Sequence, residues 1–596
     1  MNSKNTLVWL VIAAALFAFI FAFEHFLRPS GTDLTAILPD LHPSAITSVQ
    51  VIPANALEIR ADYTNGTWLL TQPITYRAQS AAIETLLEAL QKLTPAIRIS
   101  AGERREHRGA EADYGFENPS VSLVLEAGDQ RWQLLVGNKT APGDQVFLSL
   151  VGKDGAFVTD AGWLKYLPHS ANDWRDTALV NFDGRTPDWI ILTNGTKVME
   201  LHRNATNHLW QMTRPLVARA NTGRITEALQ RLQTARVSQF VTDNPKSDLS
   251  SFNLQPADLD LWFGSGTNFA TALHIGKSPT NDSSLVYARH DGGNSIVTTA
   301  KEPLSSWYGT VNDFRDPYLF EFSAPVAEIQ VRGTNNFTLQ LQGTNGWRVV
   351  GEKFPVDAGS LQNFVEMLAN LQVTEFVKDV VTAPDLPAYG LANPAWQINL
   401  LSSVGNTNAV IAQLFFGATQ TNEVFVRRGD EDFVYAIPLD NFNQMPQAGW
   451  ELRERRIWSF SEAEVAQITI HQNGRTRQII HHGPNQWSLA PGSQGIIVPA
   501  AIEETAHQFG ELTATVWLAH NAAECRKFGF KPENLSITLE LKNGAKHTVD
   551  FGIAGSQTAV AAVTLDGERW AFVFPPALYQ FVLSYLSLPT APGGAP

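Results

Sequence analysis

An aromatic residue, a turn and a proline recur four times along this 596-residue chain, as Tyr114-Gly115-Phe116-Glu117-Asn118-Pro119, Phe252-Asn253-Leu254-Gln255-Pro256, Tyr389-Gly390-Leu391-Ala392-Asn393-Pro394 and Phe528-Gly529-Phe530-Lys531-Pro532. The spacings are 138, 137 and 139 residues. A period of this kind means that one folding unit of about 140 residues has been copied four times. Each copy is long enough to bury a core of its own. Residues present in every copy are expected to build the module, so chemistry would have to come from something only one copy possesses.

Other landmarks keep the same period. Trp68, Trp210, Trp347 and Trp487 each follow a turn and precede a proline, Pro73, Pro215, Pro355 and Pro491, with tryptophan spacings of 142, 137 and 140. An amphipathic stripe comes next: Ile83, Leu86, Leu87, Leu90 and Leu93 in the first copy, Ile225, Leu229 and Leu232 in the second, Leu361, Phe364, Leu368 and Leu371 in the third, Ile502, Phe509 and Leu512 in the fourth. Apolar residues at i, i+3, i+4 and i+7 lie on one face of a helix. Short alternating runs flank it, at 46–51, 57–63 and 67–71 before the helix and at 121–126, 131–136, 146–150 and 156–159 after it. Polar turns such as Thr64-Asn65-Gly66 separate them, as in hairpins. A last helical stretch surrounds Trp163 to Leu167. Strands therefore follow one another by hairpins instead of alternating with helices, which makes the fold class α+β. Each module is expected to be two antiparallel meanders with an amphipathic helix between them. Gly137, Gly276, Gly417 and Gly552 fall at one place in the second meander of each copy, where a glycine supplies backbone freedom that other residues lack.

Asn172-Asp173-Trp174-Arg175-Asp176 returns as Asn312-Asp313-Phe314-Arg315-Asp316 and, altered, as Leu452-Arg453-Glu454, with arginine spacings of 140 and 138. A guanidinium can anchor an anion. The motif, however, sits where one unit ends and the next begins, and the fourth copy ends before it would recur. An ion pair or cap that sets the angle between modules is the better reading.

Leu7 to Leu27 is an apolar segment of 21 residues broken only by Glu24 and His25. At about 1.5 Å per residue such a helix matches a hydrocarbon core roughly 30 Å thick. A cleaved signal peptide usually has a shorter apolar region and a small-x-small site, and none follows this run, so an uncleaved signal anchor is expected. Lys4 and the terminal amine on its N-terminal side point to a cytoplasmic N-terminus and an exported body. The expected domains are a signal-anchor helix and flank at 1–28, modules at 29–181, 182–321, 322–459 and 460–588, and a flexible Pro/Gly-rich tail at 589–596.

Apparent chemical motifs have bland readings. Gly276-Lys277-Ser278 lacks the leading glycine of a phosphate loop, and Gly264-Ser265-Gly266 reads as a hairpin turn and not as a dinucleotide fingerprint. Arg428-Gly429-Asp430 spells an adhesion tripeptide where a hairpin must turn. His481 and His482 are adjacent, which on a strand points them to opposite faces. Asp258 and Asp260 could share a strand face for acid-base work, but a solvated edge suits them better. The single Cys525 forms neither an internal disulfide nor a cysteine metal cluster; it reads as a small buried hydrophobe, with an exposed reactive thiol as the alternative. A net charge of -14 and no basic stripe argue against a nucleic-acid partner. No catalytic, cofactor-binding or metal-binding residue stands out, and no cofactor is expected.

With its anchor, its Trp68 to Leu93 segment, its Tyr114 to Pro119 turn and its Asn172 to Asp176 junction, the chain resembles a bacterial family known as domain of unknown function 4340, over roughly residues 40 to 588. The resemblance implies a partner of ABC-type transporter components related to gliding-motility or export systems. The expectation is thus a non-enzymatic scaffold, single-pass in the inner membrane, with the bulk of the chain periplasmic or otherwise extracytoplasmic. It would serve a transport or envelope complex; the alternative is an extracytoplasmic binding protein for a glycan or envelope ligand.

Overall fold

The computed structural model of the protein describes residues 15–17, 35–182, 184–267, 269–320, 324–343, 346–404, 407–552 and 559–588. The expected anchor, Leu7 to Leu27, lies outside the described residues apart from helical 15–17, and the expected tail lies outside them entirely. Among the described residues no helix is long and apolar enough to cross a membrane.

The first copy shows how the sequence pattern becomes a sheet. Strands β1 (Ser48–Pro53), β2 (Ile59–Thr64), β3 (Thr67–Gln72) and the two-residue β4 (Tyr76–Arg77) form the first meander. A helix, Ser80–Gln91, follows, then β5 (Ile97–Ile99), and then β6 (Val121–Ala127), β7 (Gln130–Lys139), β8 (Gln145–Leu150) and β9 (Ala156–Asp160). All nine belong to one antiparallel sheet in the order β4-β3-β2-β1-β6-β7-β8-β9-β5. The two meanders expected from the sequence are therefore halves of a single sheet, fused where β1 pairs with β6, Val49 opposite Leu125. The reason is physical: either half alone would leave the inner strand's donors and acceptors unpaired.

The other copies repeat the arrangement. Sheets spanning 189–300, 328–438 and 465–573 contain nine, eight and eight strands in the corresponding order. Strands dominate, so the α+β description holds with the sheet as the larger part. The helices Ser80–Gln91, Thr222–Thr234, Ala358–Ala369 and Pro499–Gly510 bury the stripes that the sequence marks, for example Ile83, Leu86, Leu87 and Leu90. These join Val49, Val51, Leu70, Leu123 and Leu125 in one core on a single face of the sheet. Trp68, Trp210 and Trp487 are buried, whereas Trp347 is half-buried.

By contacts the chain divides into two compact units, Met1–Arg315 and Asp316–Pro596. Each holds two of the four sheets.

Candidate functional site

The one polar landmark shared by successive copies is the junction segment, and it is built from the backbone outward. In the first unit Gln79 N–H donates to the Trp174 carbonyl at 2.7 Å and Asp176 N–H to the Arg77 carbonyl at 2.9 Å, so the segment adds to the β4 edge of its own sheet. Two residues further on, Val237 N–H donates to the Thr177 carbonyl and Leu179 N–H to the Ala235 carbonyl. Residues 174–179 thus form an extended strap that closes the edge of one sheet and then the edge of the next, beside strand Val237–Thr242. Unpaired edges invite aggregation, and the strap removes two at once.

Arg175 sits in the middle of this strap and is 1 % exposed. Its Nη1 and Nη2 donate to the Asp243 carboxylate at 3.1 and 2.7 Å. Nη1 also donates to Asn172 Oδ1 at 3.1 Å, and Nη2 to Ser295 Oγ at 2.7 Å. The guanidinium packs in the corner formed by the rings of Tyr76 and Phe240, 4.2 and 3.6 Å from their centroids, and the rings themselves meet edge to face. Asn172 and Tyr76 come from the first copy, and Asp243, Phe240 and Ser295 from the second. Burial alone would raise the Asp243 carboxyl; the hydrogen bonds from Arg175 and Ser295, with the guanidinium charge, outweigh it and hold the group below the usual carboxylate range.

The second unit repeats the device with different partners. Asp357 N–H donates to the Leu452 carbonyl and Glu454 N–H to the Pro355 carbonyl, both at 2.8 Å, and Ala514 N–H to the Arg455 carbonyl at 2.8 Å. Arg453 Nη2 pairs with Asp566 at 3.0 Å, its guanidinium lies 4.4 Å from the Trp570 ring centroid, and Trp517 Nε1 donates to its carbonyl at 3.2 Å. The altered sequence of this third junction therefore keeps the geometry. Arg315 is buried as well, with Nη1 donating to Asn312 Oδ1 at 3.3 Å.

The remaining motifs settle into structural places. Gly264 and Ser265 are not in a turn but end strand Leu259–Ser265, and only Gly266 belongs to the hairpin turn that leads to Phe269–Ile275. Arg428 is buried, bonded to the Leu319 carbonyl and to Asp430, so the adhesion tripeptide does not present its arginine to a receptor. His481 stacks on Trp487 at 4.1 Å while His482 points outward to Ser488, on opposite faces as the strand requires. Asp258 and Asp260 do not work together: Asp258 accepts from Asn253, and Asp260 bonds His274 Nδ1 at 2.5 Å. Sequence reasoning missed this His274 partner, because Asp260 and His274 meet only through cross-strand register.

An open cleft of about 400 Å³ in the fourth sheet is lined by Cys525, Arg526, Phe530, Lys531, Asp550 and Arg569 among others. Of its cations, Arg569 is paired to Asp550 at 2.9 Å and lies over Phe530. Cys525 is buried, its thiol donating to the Arg569 carbonyl, and burial raises its pKa. No group of three or more His, Cys, Asp or Glu among the described residues is placed to hold a metal ion.

Stretches 68–208, 210–394 and 347–530 match the family described as domain of unknown function (DUF4340), and the chain belongs to that family. No curated protein matches the chain.

Proposed function

We propose that this chain is a membrane-tethered extracytoplasmic scaffold, an accessory subunit of an ABC-type transport or envelope complex. The observation that carries the reading is the Arg175 strap. The most elaborate polar constellation described above spends its hydrogen bonds on locking one sheet to the next. Interlocked repeats generate long surfaces suited to holding partners. The apolar segment Leu7 to Leu27 would anchor the chain in the inner membrane with its N-terminus cytoplasmic, and modules bounded near 181, 321 and 459 would extend from it. Three of the four repeated tryptophans are buried, which takes away the stacking platforms that a glycan-binding role would use.

The test is affinity purification of the full chain from detergent-solubilised native membranes. An ABC-type permease or ATPase subunit retained in stoichiometric amount is the expected result. Recovery of the chain without any transporter or envelope protein would overturn the proposal.

A further inference from the structure

Comparison of the four aromatic turns isolates one whose charge has no counterpart. From two residues before the aromatic to three after it, the first copy carries Asp113 and Glu117, and the second and third, at 250–255 and 387–392, carry no charged residue. The fourth carries Arg526, Lys527 and Lys531. A feature that builds the module would recur, and this one does not.

The first copy shows what a cation does at this turn when its role is structural. Arg104 lies over Phe116 at 5.1 Å, donates to both carboxylate oxygens of Glu111 at 2.7 and 2.8 Å, and reaches the Gly155 carbonyl at 2.7 Å. Its donors are consumed inside the module. In the fourth copy Arg569 lies over Phe530, again at 5.1 Å, and is held by Asp550, which also accepts from Ser536 Oγ at 2.8 Å. That pair does the work of Arg104 and Glu111, so Arg526 and Lys531, which line the same open cleft, are added cations. Lys527 is paired with Glu524 at 3.1 Å. Lys531 comes no closer than 3.7 Å to Glu533, with both side chains 59 % exposed, where an ion pair holds little. Arg526 has no ion pair among the described residues. Ile553 to Thr558, outside the described residues in the neighbouring hairpin, include no acid that could supply one. Asp550 is the one carboxylate among the described lining residues, against three cations.

We infer that this cleft of the fourth module binds a phosphate group carried by a small molecule or a lipid headgroup, with Arg526 and Lys531 as the cations that hold it. Phosphate spreads its charge over several oxygens, so a guanidinium fork and an ammonium can grip it together, whereas one arginine already satisfies a carboxylate. At about 400 Å³ the cleft has the size of a small-ligand site. A net charge of -14 on the chain opposes a long polyanion such as a nucleic acid, which leaves a single phosphate group as the ligand that the local surplus of cations can recruit. Phe530 and Pro532 give the carbon body of an ester an apolar wall to lie against. The inference does not depend on the transporter reading, since ligand binding is measured on the purified chain without any other protein.

The test is titration calorimetry of the full chain in a neutral detergent, with glycerol phosphate as the soluble ester and dihexanoyl phosphatidylglycerol as the lipid headgroup. Saturable binding of at least one probe is expected, and the probe that binds names the source. Arg526→Gln and Lys531→Gln, both at exposed positions that leave folding intact, should each weaken it at least fivefold. Lys92→Gln, on the first module and 74 % exposed, should leave it unchanged. Failure of both probes to bind, binding that survives the Arg526→Gln/Lys531→Gln double variant, or an equal loss in Lys92→Gln would overturn the inference. Acetate that displaces the bound probe at equal concentration would assign the cleft to carboxylates and overturn it equally.

Discussion

The carbonyl oxygen of Tyr114 occupies the space that a β-carbon on Gly137 would need. The same contact joins Phe252 to Gly276, Tyr389 to Gly417 and Phe528 to Gly552. In the first two copies the residue after the glycine also donates its N–H to that carbonyl, Asn138 to Tyr114 at 2.8 Å and Lys277 to Phe252 at 3.1 Å. Two of the periodic landmarks, one aromatic and one glycine, are thus two sides of a single backbone contact that docks the turn onto the second half of the sheet.

Gly137→Ala should therefore undock that turn. A β-carbon cannot be fitted beside a backbone oxygen without moving a strand, so a loss of about 2 kcal/mol or more is expected, at the upper end for single substitutions. Gly102→Ala, where the nearest neighbour is a side-chain oxygen at 3.8 Å, should be neutral or slightly stabilising. Urea melts of both variants followed by tryptophan fluorescence check the contrast; equal stability would refute it.

Asn253 stands where the other copies have glycine, and it holds φ at 55° against 79°, 67° and 68° for Gly115, Gly390 and Gly529. Asparagine tolerates this left-handed conformation better than other side chains. Asn253→Gly should change stability by only a few tenths of a kcal/mol, while Asn253→Val should cost about 1–2 kcal/mol. Thermal melts of the pair suffice to test the ranking.

Removal of the Arg175 side chain should free the two sheets of the first unit from each other. It leaves Asp243 without its main partner and opens a void beside the touching rings of Tyr76 and Phe240. The expected cost is roughly 2 kcal/mol, below the 3–5 of a fully buried pair because Asp243 is one-third exposed. New proteolytic cleavage between residues 176 and 188 in Arg175→Ala is the measurement, and an unchanged digestion pattern would count against the lock.

The pH dependence follows from the lowered Asp243 pKa. A group depressed in the folded state contributes stability that is present above its unfolded value, about 3.9, and is lost as pH falls through the folded value. Protease sensitivity of the 176–188 segment should therefore rise as pH drops below about 4 in the wild type. The Arg175→Ala variant should already be sensitive at neutral pH and respond less to acid.

Cys525 is 1 % exposed, and burial raises its pKa. The native chain should react with a thiol reagent only after denaturation, then releasing one equivalent for its single cysteine. Stoichiometric reaction of the folded chain within minutes would show an open thiol, the alternative that the sequence leaves standing.

Much of the module was legible in advance because its signals are local. The stripe Ile83, Leu86, Leu87 and Leu90 becomes the buried face of the helix, and the alternation within 121–126 becomes β6. The short strands at Tyr76–Arg77 and Ile97–Ile99 were not legible. Two or three residues carry too little pattern, and they are strands only because an edge lies beside them. Arg175 could be marked from its period, but Asp243 and Ser295, 68 and 120 residues away, have no local feature that names them as its partners.

The amino-acid sequence by itself determined that there are four copies, what each copy's helix buries and where backbone freedom is required, because side-chain periodicity and glycine placement act within a few residues. Only the tertiary structure decided that two meanders fuse into one sheet and that straps close successive edges. Those outcomes depend on which backbone donors meet which acceptors across long stretches of chain. Every residue but proline carries the same donor and acceptor, so composition cannot encode the choice.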